Sequence, residues 1–359
     1  MTLYNVSSGA TDSGLILVVG DVLRVGGGGS AIDITLAGGT EIVSSGGVVS
    51  GTTIMSGGTE VLSFGGVASG TIVNSGGVEN VSRGIASGTT VRSGGAEDVF
   101  NYGIASGTTV SSGGVEYVSY GGVTSGTTVS SGGVEYVSDG GVTSGTTVSS
   151  GGTEVVSGIA TGTIVGSGGT QILTGAGAAS GTTVSSGGVE YVSGGLASGT
   201  TVSSGGELIA LLYGAVSGAT IDSGGTLITL AGASNISYTA STGATIISAY
   251  MIVDSGGVLV SAIDSATLSD FAVGSGEVLT VYSGGTVESA VISSGKIEVS
   301  GGGVVTGTTI SSGGTEYVLF SGIASGTTVS SGGTEVVSGI ASGTIVGSGG
   351  TQILTGAGA

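Results

Sequence analysis

The turn tripeptide Ser-Gly-Gly recurs with its Ser at 56, 75, 93, 112, 131, 150, 167, 186, 204 and 223, in steps of 17 to 19 residues. A unit this short cannot enclose a core by itself. Copies of it must stack, each burying its apolar side chains against the next, so stability belongs to the stack and not to the unit. One unit reads Thr127-Thr128-Val129-Ser130-Ser131-Gly132-Gly133-Val134-Glu135-Tyr136-Val137-Ser138-Asp139-Gly140-Gly141-Val142-Thr143-Ser144-Gly145.

Aligned on that period, the sequence gives three apolar columns. Two residues before the turn Ser stand Ile54, Val73, Val91, Val110, Val129, Val148, Val165, Val184, Val202 and Ile221. Six after it stand Leu62, Val81, Val99, Val118, Val137, Val156, Leu173 and Val192. A third column holds Val67, Ile85, Ile104, Val123, Val142, Ile159 and Leu196. Short β-branched segments joined by Gly-Gly and Ser-Gly bends predict strands coiled around a narrow core. A helix is excluded by the glycine content, the β-branched residues and the lack of a 3.6-residue stripe. The 82 glycines would read as disorder in an aperiodic chain, but here the period places Val, Ile and Leu regularly. The expected fold is all-β, a right-handed parallel β-helix or β-solenoid of ~19-residue repeats.

Parity within the unit raises one conflict. Glu135 lies two residues before Val137, so in an unbroken strand both would face inward. An unpaired charge in the core is costly, which predicts a corner or bulge, with Val134 and Val137 inward and Glu135 and Tyr136 outward. The 17-residue unit loses its residues between Val156 and Ile159, so the loop there is expected to be exposed; Phe64, Arg83, Tyr102, Tyr120 and Asp139 occupy it in other units.

The repeat divides the chain into regular coils over 1–225, a degenerate segment over 226–300 and regular coils over 301–359. All three are read as one continuous solenoid, with 226–300 either longer rungs or a bend. Residues 322–359 copy 141–178 at a constant offset, differing at Ile323, Ala324 and Ser342, and the copy stops in mid-repeat at Ala359. That reads as a piece of a longer solenoid.

The units Ser-Gly-Thr-Thr-Val-Ser-Ser-Gly-Gly-(Val/Thr)-Glu-(Tyr/Val)-Val-Ser resemble the passenger repeats of AIDA-type autotransporter adhesins, the antigen 43-like group. The resemblance spans about four-fifths of the chain. It implies surface display or secretion, cell adhesion, self-association or biofilm formation, and a glycosyltransferase that adds O-linked sugar to repeat serines. The chain departs from that group in carrying neither a membrane β-barrel nor a Sec-type leader. The rival expectation is a passive stalk or matrix filament.

Charge and chemistry narrow the field further. With four basic residues and a formal net charge of −19, the chain has little with which to neutralise phosphates or anionic lipid, so neither nucleic acid nor membrane insertion is expected. It has no His and no Cys, hence none of the usual acid–base or nucleophile pairs, and neither an enzyme nor a cofactor is expected. Candidate site residues are therefore of two kinds. The glutamate column (Glu79, Glu97, Glu116, Glu135 and Glu154, with Glu60 and Glu190 in line) reads as a solvated edge that blocks lateral pairing, or as a strip binding divalent cations weakly. Rows of turn serines (Ser111, Ser112, Ser130, Ser131, Ser149, Ser150, Ser185 and Ser186) are turn formers or glycan acceptors. The Thr-Thr-Val rows would suit an ice-binding face, but one Thr column shares parity with the inward Val129.

Overall fold

The computed structural model describes residues 1–138, 140–256 and 258–355. Two compact units are present: one of Met1–Leu227 with Ser234–Thr245, the other of Ile228–Ala233 with Ile246–Ala359. Among the described residues there is no helix, and so none long and apolar enough to cross a membrane.

In the first unit each coil supplies three short strands, and each strand lies beside its equivalents in the coils before and after. Val115–Val118, Val123–Ser125 and Thr128–Val129 make one coil; Val134–Val137, Val142–Ser144 and Thr147–Val148 make the next. The pairing is parallel and in register: Val115 faces Val134, Glu116 faces Glu135, Tyr117 faces Tyr136 and Val118 faces Val137. The fold is a parallel β-solenoid.

Three kinds of corner close each coil. Between the third and first sheets the Gly133 amide donates to the Ser130 carbonyl at 2.9 Å, with Ser131 and Gly132 at φ 52° and 79°, a type I′ turn. Between the first and second sheets Tyr120 and Gly121 do the same at φ 47° and 79°. A single left-handed glycine, Gly126 at φ 67°, turns the chain from the second sheet to the third. The inner glycine of each pair points into the stack: a Cβ on Gly133 would lie 2.5 Å from the Val110 carbonyl oxygen of the coil before.

Those inner glycines set the phase of the strands, and two expectations are corrected by it. Gly122 and Gly141 are buried, so the residues after them, Val123 and Val142, point outward, and Thr124 and Thr143 point inward. The third apolar column is therefore an outer one: Ile85, Ile104, Val123, Ile159 and Leu196 are all exposed, while Ala86, Ala105, Thr124, Ala160 and Ala197 fill the core. Likewise Val134–Val137 alternates without a bulge. Gly133 is in, Val134 is half-buried on the outside, Glu135 is in, Tyr136 is out and Val137 is in. The Ile54-to-Ile221 and Leu62-to-Val192 columns are buried as expected, and each fully buried Val or Leu contributes about 1.5–3 kcal/mol. The short unit keeps its register, since Ile159 still pairs with Val142 after the loop has lost two residues. Phe64, Arg83, Tyr102 and Tyr120 are exposed in that loop; Asp139 lies outside the described residues.

The second unit repeats the plan with three sheets of seven, five and five strands. Its regular coils run from Glu277–Val281 through Lys296–Val299, Thr315–Val318 and Thr334–Val337 to Thr351–Leu354, all parallel. The degenerate stretch departs from the coil here: Met251–Ser255 runs antiparallel to both Val258–Ile263 and Glu277–Val281. The mid-repeat stop at Ala359 lies outside the described residues.

Candidate functional site

The glutamate column lies inside the stack. Glu41, Glu60, Glu79, Glu97, Glu116, Glu135, Glu154 and Glu190 are all 0% exposed, so the expected solvated edge or surface cation strip at Glu79, Glu97, Glu116, Glu135 and Glu154 is not on the surface. Parity is the reason, because each glutamate stands midway between an inner glycine and an inner Val or Leu on an unbroken strand. The column is in register coil after coil from Glu41 to Glu154, passes through Gln171 to Glu190, and is bounded by Leu23 and Leu208. Neighbouring carboxyls thus sit one strand spacing apart, about 4.8 Å.

Each carboxyl faces a threonine at the start of the third sheet. Thr52 donates to Glu41 at 2.9 Å, Thr71 to Glu60 at 3.0 Å, Thr89 to Glu79 at 2.9 Å and Thr108 to Glu97 at 3.0 Å. Glu135 accepts from both Thr124 and Thr146 at 3.1 Å, and the Gln171 amide donates to Glu154 at 2.7 Å. Among the described residues one oxygen per carboxyl has no hydrogen-bond partner at Glu41, Glu60, Glu79 and Glu97, and neither oxygen has one at Glu116 and Glu190. Burial pushes these carboxyls up, to about 7 at Glu41 and Glu190. Glu60, Glu79, Glu97, Glu116 and Glu154 are pushed well above the ordinary range by burial first and by the charge of neighbouring glutamates second. Glu135 is raised too, against the opposing pull of the Thr143, Thr124 and Thr146 hydroxyls. In the second unit Glu316 follows the same rule, raised to about 7.

Burial of this column empties the exterior of charge. Between residues 40 and 206 all eight glutamates are interior, and the remaining charged residues are Arg83, Arg92, Asp98 and Asp139. Outward-facing aliphatic side chains line the second sheet beside an edge of exposed rings, Phe64, Tyr102 and Tyr120 at 65–73% exposure. Arg83 lies over Phe64, 5.5 Å from the ring centroid. On the outer face of the first sheet Tyr117 and Tyr136 stack at 5.4 Å, with their planes 10° apart.

The turn serines lie at the opposite corner of the coil. Ser112, Ser131, Ser150 and Ser186 are exposed, and Ser111, Ser130, Ser149 and Ser185 are half-buried behind them. Their rows are held rigidly, since the Ser131 amide donates to the Ser150 carbonyl one coil on, at 2.9 Å. Thr127 is fully buried, so the Thr-Thr-Val rows present one outward threonine per coil. Among the described residues no group of three or more carboxylates is placed to hold a metal ion. The one lysine, Lys296, is held by Glu298 at 2.9 Å and lies 5.3 Å from the centre of the Tyr317 ring.

The sequence singles out the glutamates but not the threonines that face them. Two patterns could have found them: glutamate shares the parity of the inner Val, and nearly every glutamate is followed nine to eleven residues later by a Thr with the parity of the next inner Val or Ile.

No family model matches the chain, and no curated protein matches it. Among solved structures it is similar to a TibC-catalysed hyperglycosylated TibA fragment, at 29% identity and a TM-score of 0.48, over 100% of this chain and 99% of that one. A PL6 family alginate lyase, AlyGC, matches at 8% identity and a TM-score of 0.29, over 97% of this chain and 69% of that one. An alginate lyase from Paenibacillus sp. str. FPU-7 matches at 11% identity and a TM-score of 0.13, over 98% and 100%. All three scores lie below 0.5, so the functional reading stands on the repeat and on this chain's own geometry.

Proposed function

We propose that this chain is the passenger of a bacterial surface-exposed or secreted adhesin, acting in cell adhesion, self-association or biofilm formation through a long face of its stacked coils. The observation that carries this reading is the exterior. Among the described residues the coils between 40 and 206 show three charged side chains outside the interior column, Arg83, Arg92 and Asp98, against repeated columns of Ser, Thr, Val, Ile and Tyr. A surface with so few charges has little electrostatic barrier to packing on another like it. Exposed apolar columns repeated at every coil give such a contact area in proportion to its length. The resemblance of the repeats to AIDA-type passenger repeats supports the same reading.

O-glycosylation of Ser112, Ser131, Ser150 and Ser186, with Ser111, Ser130, Ser149 and Ser185 behind them, fits hydroxyl rows at an exposed corner. Attached sugars there would leave the aromatic edge free. Intact-mass measurement of protein from its native host tests this; a mass equal to that of the bare chain rejects it.

The test of the main reading is a settling assay on cells displaying the chain. Faster clumping, or retention on a surface, supports adhesion. Displayed cells that neither clump nor bind would make the coils a passive stalk.

A further inference from the structure

The carboxyls of the interior column are buried and so out of reach of the surface contacts proposed above, which leaves their own chemistry to be explained. Stacked carboxylates buried in the core would repel one another, and among the described residues no basic side chain is buried beside them to offset this. Among the described residues the buried titratable side chains are Asp21 and these glutamates, and no buried residue is basic. The groups facing the column from the second sheet are Val49, Thr124, Thr143 and the alanines from Ala68 to Ala197. Those facing it from the third are the threonines, Thr52 through Thr200, none of which titrates. The column's own neighbours are thus the only titratable groups it meets.

A proton resolves the arrangement. Hydroxyls of Thr52, Thr71, Thr89 and Thr108 each donate to one oxygen of their carboxyl, and the other oxygen has no partner. A carboxylic acid carries an O–H on that second oxygen, and it can donate to the carboxyl of the adjacent coil one strand spacing away. Gln171 shows what the position accepts: an uncharged isostere sits in the same column and donates its amide N–H to Glu154 at 2.7 Å. Protonated glutamate is to its neighbour what Gln171 is to Glu154.

We propose that the interior column is a proton-loaded ladder, in which successive glutamic acids hydrogen-bond from coil to coil and assembly of the coils takes up protons from the medium. Acidic medium then holds the stack together and alkaline medium loosens it. The sense of the pH dependence follows from proton counting. A carboxyl raised in the fold binds its proton more tightly folded than unfolded, so the unfolded chain releases protons first. Stability is whole below the ordinary glutamate range, about 4.3, and falls as pH rises through about 7, where Glu41, Glu190 and Glu316 titrate, and beyond it for their neighbours.

The experiment uses the full chain and urea denaturation followed by circular dichroism at about pH 5, 7 and 9. The urea midpoint is expected to fall at each step, and refolding into weakly buffered medium at about pH 7 with an indicator dye is expected to consume several protons per molecule. A variant carrying Glu79→Gln, Glu97→Gln and Glu116→Gln should show a flatter profile and take up about three protons fewer. A midpoint that rises with pH, refolding without proton uptake, or an unchanged profile in the triple variant each overturns the proposal. Should the triple variant fail to fold, single Glu97→Gln and the wild-type proton count still decide. A midpoint that tracks added potassium or calcium at fixed pH, without proton uptake, would replace protons by cations and also overturn it.

Discussion

One interior column is filled in two ways. From Glu41 to Glu190 it is carboxyl or amide, and the buried residue that opens the third sheet of the same coil is a threonine. At Leu23 and at Leu208 it is aliphatic, and the matching residues are Ile34 and Ala219. The second unit repeats the contrast: Leu279 comes with Ala290, while Glu316 comes with Thr327. Ile297 with Thr308 breaks the rule; the Thr308 hydroxyl has no hydrogen-bond partner among the described residues, and neither have Thr127 beside Glu116 and Thr200 beside Glu190. The coil therefore needs an inward side chain of suitable size at this place, and the polar version arrives as a matched pair. Buried polar networks are often no more stabilising than an apolar filling of the same shape. The glutamate coils are thus not explained by packing alone, and charge at this position should be felt more than polarity.

The sharpest way to break that comparison is to put in a side chain of opposite sign that is longer than the place it fills. Glu116→Lys places an ammonium where both carboxyl oxygens already lack partners, between Glu97 and Glu135. Burying the ammonium forces either its own neutralisation or the ionisation of Glu97 and Glu135, and its longer stem overfills the place, so urea denaturation at neutral pH should show a loss of about 3–5 kcal/mol. A change under about 1 kcal/mol would mean the column is wet, and the division between inside and outside would fail.

Converting one kind of coil into the other gives a smaller effect. Glu97→Leu leaves the Thr108 hydroxyl without its acceptor, and Thr108→Val leaves the Glu97 carboxyl without its donor at 3.0 Å. Each alone should cost about 1–3 kcal/mol. Together they make the coil resemble those at Leu23 and Leu208, and the pair should come within about 1 kcal/mol of wild type at neutral pH. Additive losses in the double-mutant cycle would show that the two positions are not a matched set.

Most of this fold is legible in the sequence because the period is enforced by glycines with no substitute. Gly133 cannot carry a Cβ beside the Val110 carbonyl, so its position survives wherever a coil forms. The phase of the strands was harder. Hydropathy assigns Val123 inward and Glu135 outward, and both assignments are wrong, because a strand's alternation is fixed by the inner glycine before it and not by the polarity of its members. Glu135 could be buried only if it were neutral or partnered, and the partner, Thr146, stands eleven residues further along on another sheet. The hairpin at Met251–Ile263 left no trace in the spacing beyond the loss of the period, since an antiparallel strand needs no repeat to pair with.

The smallest effect separates the outer edge from the core. Tyr120 is exposed and sits at φ 47°, a left-handed conformation that suits glycine and costs a bulky side chain. Phe64 and Tyr102 occupy equivalent loops at φ 47° and 65°. Replacing Tyr120 by glycine relieves that strain while giving up chain entropy on folding, so stability should change by less than about 1 kcal/mol. The same substitution removes a ring from the exposed edge. If that edge is the contact face, cells displaying Phe64→Gly, Tyr102→Gly and Tyr120→Gly together should settle more slowly, although the coils remain folded. Unaltered settling with unaltered stability would move the contact face to another exposed corner of the coils, such as that of the turn serines.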